Sequence, residues 1–231
     1  MPEAPPRWAR CPLWTVPRVA ALPPPQADRA AWESAWALVP PLPPLALSDG
    51  SGAAEQATTV RVAWDERALH VRFDCADRDA WGTYRERDDP LYEEEVVEVF
   101  LAPGEADPVR YVELEVSPAG VLFDARIHNP TGRRADLEVD RAWSCPDLTW
   151  ATGTLGPRQD WWATLAIPWS ALLDTPAAPP RHWRANFYRI ERPRDGAVEH
   201  SSWAPTWARP ADFHRPACFG HLSLGGPSGS S

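Results

Sequence analysis

Lysine is absent from this chain: all 23 basic residues are arginine. Chemistry that needs a lysine amine is thereby excluded, including Schiff-base formation, the phosphate-loop lysine and the kinase lysine. Glycine-rich phosphate fingerprints are missing as well, so no nucleotide cofactor is expected. Methionine occurs once, as Met1. Cysteine occurs four times, as Cys11, Cys75, Cys145 and Cys218, never in a Cys-x-x-Cys pair, which argues against zinc ribbons, dithiol redox chemistry and c-type haem attachment. No apolar run reaches the roughly 18 residues that span a bilayer, and Met1 to Arg10 lacks the apolar stretch of an export signal. The expectation is a soluble protein with reduced thiols and no membrane partner, cytoplasmic by default.

Acids outnumber bases, 32 to 23, for a formal net charge of -9. Sequence-independent nucleic-acid binding draws its affinity from neutralising phosphates, so no nucleic-acid partner is expected and neutral or cationic ligands are favoured. A length of 231 residues suits one large domain with an appended arm, and a monomer is expected.

Proline and tryptophan are abundant, at 28 and 14 residues. The prolines concentrate early, in Pro23-Pro24-Pro25 and Pro40-Pro41-Leu42-Pro43-Pro44, where they favour extended backbone and keep the segment out of a sheet centre. Residues 1–27 read as a Pro-rich arm packed on the domain. Asp28 to Trp36 reads as a short helix, with Asp28 as N-cap and Trp32 and Trp36 on one face. From Thr58 the period changes to two: Val60, Val62 and Trp64, then Leu69, Val71 and Phe73, alternate with polar neighbours around the turn Asp65-Glu66-Arg67. Alternating runs recur at 95–101, 110–117, 120–127, 148–154, 160–167, 182–190 and 219–224, with a second short helix at 168–173. This pattern predicts an all-β fold, an antiparallel β-sandwich of jelly-roll type, over residues 28–224. The small polar tail 225–231 is expected to be disordered.

Four segments, in order and spacing, carry a resemblance: Thr59 to Glu66 followed by Leu69-His70-Val71, Glu94 to Leu101, Trp162 to Trp169, and Phe219-Gly220-His221-Leu222. Together they resemble a family 9 carbohydrate-binding module within the wider DOMON-like β-sandwich group, over nearly the whole chain. The resemblance implies a cleft that binds a mono- or oligosaccharide without catalysis, with aromatic rings stacked on the sugar. It places one aromatic at Tyr92 or the adjacent Leu91, another at Phe213 or His214, and a strand glutamate at Glu98. An arginine that it implies on the next strand is replaced here by Glu113 or Glu115. Some DOMON domains hold haem with a Met and a His, but with Met1 as the only methionine no haem is expected.

Sugar recognition needs exposed flat rings beside hydroxyl-reading polar groups. Loop-borne Trp81, Tyr84, Tyr92, Trp207, Phe213 and His214 are the candidates for rings and edges, and Arg85, Glu98, Glu113 and Arg189 for hydroxyl contacts. Trp64, Trp150, Trp162, Trp169 and Trp183 are expected in the core. Strand alternation puts Glu98 with Val96 and Phe100, and Glu113 and Glu115 with Tyr111. On neighbouring strands those carboxylates would share a face, where Arg72, Arg126 or Arg189 would serve as partners. Asp77, Asp79, Asp88 and Asp89 are candidate ligands for a structural Ca²⁺, since oxygen-rich loops suit that ion and modules of the resembled family often carry it. Two alternatives stand beside sugar binding: a protein-interaction domain on the same fold, and a glycoside hydrolase using two carboxylates.

Overall fold

A computed structural model describes residues 11–24, 28–156, 159–173 and 178–226. Residues 1–10 and 25–27 of the expected arm, and 227–231 of the expected tail, lie outside it. Thirteen strands and two short α-helices are described: β1 Leu13–Val16, α1 Arg29–Ala37, β2 Ala46–Leu47, β3 Thr58–Trp64, β4 Ala68–Cys75, β5 Val96–Pro103, β6 Arg110–Val116, β7 Leu122–His128, β8 Glu138–Asp140, β9 Thr149–Thr154, β10 Trp161–Pro168, α2 Trp169–Leu172, β11 His182–Glu191, β12 Glu199–Ser202 and β13 Gly220–Leu224.

They form two sheets. The larger runs β1-β13-β11-β5-β6-β7-β8, with β12 joining β11 beyond the reach of β13 and pairing with β2; the smaller runs β3-β4-β10-β9. All pairings are antiparallel except β1 with β13. Between the sheets pack Val97, Val99, Leu101, Leu114, Val116, Phe187 and Leu222 from one side and Val60, Val62, Val71, Phe73, Leu165 and Ile167 from the other. These are the inward positions of the period-two runs, so hydrophobic burial selects this register and no other.

Residues 11–24 of the expected arm pack on the domain through a strand pairing. Strand β1 pairs with β13 over Leu13↔His221 to Val16↔Leu224, and Gly225 donates its backbone N–H to Val16 O at 2.9 Å. This strand carries too few residues to show a period. Helix α1 is capped by Asp28, whose side chain accepts from the Ala31 N–H at 3.0 Å, and Trp32 and Trp36 are buried. They pack with Trp162 and Ala63 on the outer face of the small sheet. Trp169 and Trp183 lie in the inter-sheet core, with Trp64 and Trp150 packed at its margin.

The large sheet is apolar on both faces. Its second face carries Val96, Phe100, Tyr111, Phe123, Ala125, Ile127, Tyr188 and Ile190, covered partly by Leu91, Phe213 and Phe219. Because that cover is loop rather than sheet, it is incomplete, and the gap is a cleft.

Candidate functional site

The floor of the cleft comes from β5 and β6. Their register pairs Glu98 with Glu115 and Phe100 with Glu113, so alternation sends Glu98, Glu113 and Glu115 to one face. All three are buried, at 2%, 6% and 0% exposure. One carboxylate oxygen from each lies within 4.8 Å of the others. As carboxylates, Glu98 Oε1 and both oxygens of Glu115 lack a hydrogen-bond donor; a proton on Glu115 would let it donate to Glu113. Burial pushes all three upward, Glu113 to about 7 and the other two well above the carboxylate range. Mutual repulsion adds to the rise at Glu98 and Glu115, whereas the hydrogen bond from Glu115 and the more distant Arg134 and Arg141 pull Glu113 back.

The walls are loops, fixed by hydrogen bonds to the sheet. The 203–215 segment is tied down where Asn186 exchanges two bonds with Ala204, Tyr188 Oη donates to Phe213 O at 2.9 Å, Asn129 Nδ2 donates to His214 O at 3.3 Å, and the N–H groups of Thr206 and Trp207 both reach Ser48 O. Phe213 lies flat on Tyr188, centroids 4.1 Å apart and planes 13° from parallel. His214 places Nδ1 3.0 Å from Tyr111 Oη and Nε2 3.8 Å from Glu113. Burial lowers the His214 imidazole to about 4, so it is neutral at ordinary pH.

Trp207 is the most exposed ring of the cleft, at 39%. Its backbone is left-handed, φ 58°, a conformation that costs a bulky residue roughly 1–2 kcal/mol. Its ring rests on Gly50, where any Cβ would fall 2.0 Å from it, and Gly50 is itself left-handed at φ +74°. Opposite stands Tyr92, in the single 3₁₀ turn Leu91–Glu93 before β5. Its ring meets Phe123 edge-on at 6.0 Å, and its hydroxyl accepts from Arg141 Nη2 at 3.0 Å. Tyr92, Trp207, Phe213, His214, Glu98 and Glu113 all line a cleft of about 730 Å³.

The sequence pattern of carbohydrate-binding family 9 matches residues 53–224. The chain belongs to carbohydrate-binding family 9. A curated protein of Arthroderma benhamiae (strain ATCC MYA-4681 / CBS 112371), named only "Extracellular protein", is 30% identical over 172 residues, covering 70% of this chain and 76% of that one. Among solved structures, a Bacteroides uniformis ATCC 8492 protein classed provisionally as carbohydrate-binding superposes with a TM-score of 0.73 at 18% identity, over 93% of this chain and 100% of that one. A family 9 module from Caldicellulosiruptor kristjanssonii in complex with cellotriose gives 0.62 at 14% identity, over 94% and 95%. Its counterpart in complex with glucose gives 0.59 at 15%, over 95% and 98%. At these identities the likeness concerns the fold.

Four other site candidates lie away from this family 9 cleft. Arg189, expected beside Glu98 and Glu113, projects from the opposite face because it pairs with Val97 while Tyr188 pairs with Glu98. It is fully buried there among Asp77, Glu95 and Glu191. Arg72 and Arg126 do not serve as partners of the floor either: Arg72 pairs with Glu33 and Asp74, and Arg126 lies over Trp143. Trp81 donates its indole N–H to Arg192 O at 2.6 Å, Tyr84 Oη donates to Glu93 at 2.7 Å, and Arg85 folds onto Gly82 O and Tyr84 O. Trp81 thus ties its loop to the segment after β11, Tyr84 ties it to the turn before β5, and Arg85 bonds within it.

The four aspartates expected to hold calcium do not come together as one metal-sized group among the described residues. Asp77 accepts from Arg189 and Trp161, Asp79 from the Arg194 N–H, Asp88 from the Asp124 N–H, and Asp89 from the Arg85 and Glu86 N–H groups. Conversely, the cleft of the family 9 chain includes Arg134, Arg141 and Asp212, which sequence reasoning did not single out. Their segments have no period and no motif; Arg134 lies in the β7–β8 connection and Arg141 directly after β8.

Proposed function

We propose that the cleft between Tyr92 and Trp207 binds a mono- or oligosaccharide without chemical conversion. The observation that carries this reading is the convergence of three ring residues, Tyr92, Trp207 and Phe213, on the two floor carboxylates Glu98 and Glu113 in one cleft. Rings supply flat apolar faces for the C–H side of a pyranose, while Arg141, Glu98 and Glu113 offer donors and acceptors to its hydroxyls. Membership of carbohydrate-binding family 9 and a fold shared with modules that hold cellotriose and glucose support the same reading.

The geometry speaks against hydrolysis. A glycosidase sets two carboxyl groups on either side of the scissile bond, about 5–9.5 Å apart. Here Glu98 and Glu113 stand side by side on neighbouring strands of one floor rather than facing each other across the cleft.

Calorimetric titration with glucose and with cellotriose, in buffer containing calcium, tests the proposal. Saturable binding in the millimolar to micromolar range, about -4 to -8 kcal/mol, is expected. Trp207→Ala and Tyr92→Ala should each weaken it at least about tenfold, a loss of roughly 1.4 kcal/mol. Binding that both variants leave intact would remove the cleft from consideration, and release of reducing sugar by the parent protein would overturn the non-catalytic reading.

A further inference from the structure

The floor triad is chemically incomplete as the chain alone builds it. Three acidic side chains lie within 4.8 Å of one another, fully or almost fully buried. Among the described residues, Glu98 and Glu115 form no ion pair, and Glu113 meets only the His214 ring at 3.8 Å. The nearby arginines are engaged elsewhere, Arg134 with Asp212 at 3.5 Å and Arg141 with the Tyr92 hydroxyl. Independently of the clustering, Glu115 is completely enclosed with neither carboxylate oxygen meeting a donor, and one Glu98 oxygen is in the same state. Leaving buried polar atoms unpaired costs on the order of 1–3 kcal/mol each, more for charges. The other buried acidic triad, Asp77, Glu95 and Glu191, has Arg189 in contact with all three. Among the described residues the floor triad has no guanidinium in the place that Arg189 takes in the other triad, so a counter-charge would have to arrive from solution.

We propose that Glu98, Glu113 and Glu115 bind a divalent cation of the calcium class at the cleft floor, and that hydroxyls of a bound sugar complete its coordination. The donor set is all oxygen and all carboxylate, which favours a hard cation over zinc or copper. Calcium–oxygen distances of about 2.3–2.6 Å set opposite ligands up to roughly 5 Å apart, and the three carboxylate oxygens, all within 4.8 Å of one another, fall inside that reach. Three carboxylates leave several of the six to eight positions of calcium unfilled, and Glu98 and Glu113 open onto the cleft, so those positions face the ligand. A bare ion reaches all three side chains. A sugar ammonium reaches fewer, because Glu115 does not line the cleft. This site is separate from the loop aspartates, which accept from Arg189, Trp161 and backbone N–H groups.

The sugar-bridging half rests on the proposed carbohydrate binding; the ion site does not. The full chain, stripped with chelator, is titrated with calcium chloride alone, then with cellotriose with and without calcium. The variants are Glu115→Gln, Glu98→Gln and the control Asp89→Asn, each checked by its melting curve. One saturable calcium per chain is expected, weakened at least tenfold in both glutamine variants and kept in Asp89→Asn, with cellotriose binding lost in chelator. Glutamine preserves the shape of the side chain; if a variant nevertheless melts early, competition by magnesium and lanthanum on the parent protein reads the same site. Absence of calcium binding up to millimolar concentration, or calcium binding unchanged in Glu115→Gln, overturns the proposal. Cellotriose binding unaffected by chelator overturns the bridging role while sparing carbohydrate binding. Calcium binding with no response to any sugar supports the ion site and rejects the carbohydrate reading. Glucosamine that binds in chelator and is lost in Glu115→Gln overturns the ion in favour of an ammonium ligand.

Discussion

Glu95 and Glu98 stand three residues apart on and just before β5, and that odd spacing sends them to opposite faces of the same sheet. Each anchors a triad of buried carboxylates, Asp77–Glu95–Glu191 on one side and Glu98–Glu113–Glu115 on the other. The first closes on Arg189, whose guanidinium bonds Asp77 at 2.8 Å, Glu95 at 2.9 Å and Glu191, with Trp161 donating its indole N–H to Asp77 and Glu95. The second has rings around it and a cleft above it, and no guanidinium in contact. Where the chain supplies its own counter-charge, an acidic cluster is a strut. Where it supplies cleft and rings instead, the cluster is free to meet a ligand.

The largest effect expected from breaking this contrast is at Arg189. Arg189→Met leaves buried charges uncompensated and should cost about 3–5 kcal/mol, read from denaturant unfolding; a loss below about 1 kcal/mol would show that the first triad is no strut. Second comes pH, measured in chelator. Burial holds Glu95 at about 9 even beside Arg189 and Glu113 at about 7, both above the unfolded value near 4.3. A raised carboxyl binds its proton more tightly in the folded state, so its stabilisation is complete below the unfolded value and is lost as pH rises through the folded one. The two carboxyls therefore lose stabilisation from about pH 4.3 upward, Glu113 until about 7 and Glu95 until about 9, by on the order of a few kcal/mol in all, read as a falling melting temperature. Glu113→Gln should make the fall below about pH 7 shallower, and Glu95→Gln should do the same there and also remove the fall between about 7 and 9. His214, held near 4 when folded, works in the opposite sense below its unfolded value of about 6.5 and does not enter above it.

Smaller effects sharpen the comparison. Without calcium, Glu115→Gln replaces an acid that lacks a donor and should be neutral or stabilising by about 1 kcal/mol, opposite in sign to Arg189→Met. Equal destabilisation by the two would mean that both triads are structural. The smallest change is expected at the rim. Trp207→Gly relieves left-handed strain while losing contact with Gly50, and should shift stability by less than about 1 kcal/mol even as sugar affinity falls.

Much of this was readable along the chain. The alternation of Val96, Glu98 and Phe100 against Val97, Val99 and Leu101 announced a strand with a carboxylate on one face, and Tyr111, Glu113 and Glu115 announced its neighbour. Asp28 ahead of Trp32 and Trp36 announced a capped amphipathic helix. Tyr92, Trp207, Phe213 and His214 were marked by ring chemistry in loop surroundings and, for all but Trp207, by resemblance. Trp81, Tyr84 and Arg85 carry the same local signals, yet their polar groups are bonded to Arg192 O, Glu93 and the Gly82 and Tyr84 carbonyls. Arg134 and Arg141 carry no local signal at all.

The sequence by itself determined the periods, the caps and the turns, because each is set by neighbours a few residues away. It also determined that Glu113 and Glu115 share a face, because side-chain direction alternates strictly along a strand, while the β5–β6 pairing brought Glu98 to them. Only the tertiary structure decided that the Glu98 face lies outside the sandwich, under loops, whereas Arg189 lies within it against Asp77, a residue 112 positions away. The large sheet is apolar on both faces, so alternation could not say which one meets the second sheet. That choice rests on strand order and on the contacts of aperiodic loops with the sheet, and those arise between segments far apart in the chain.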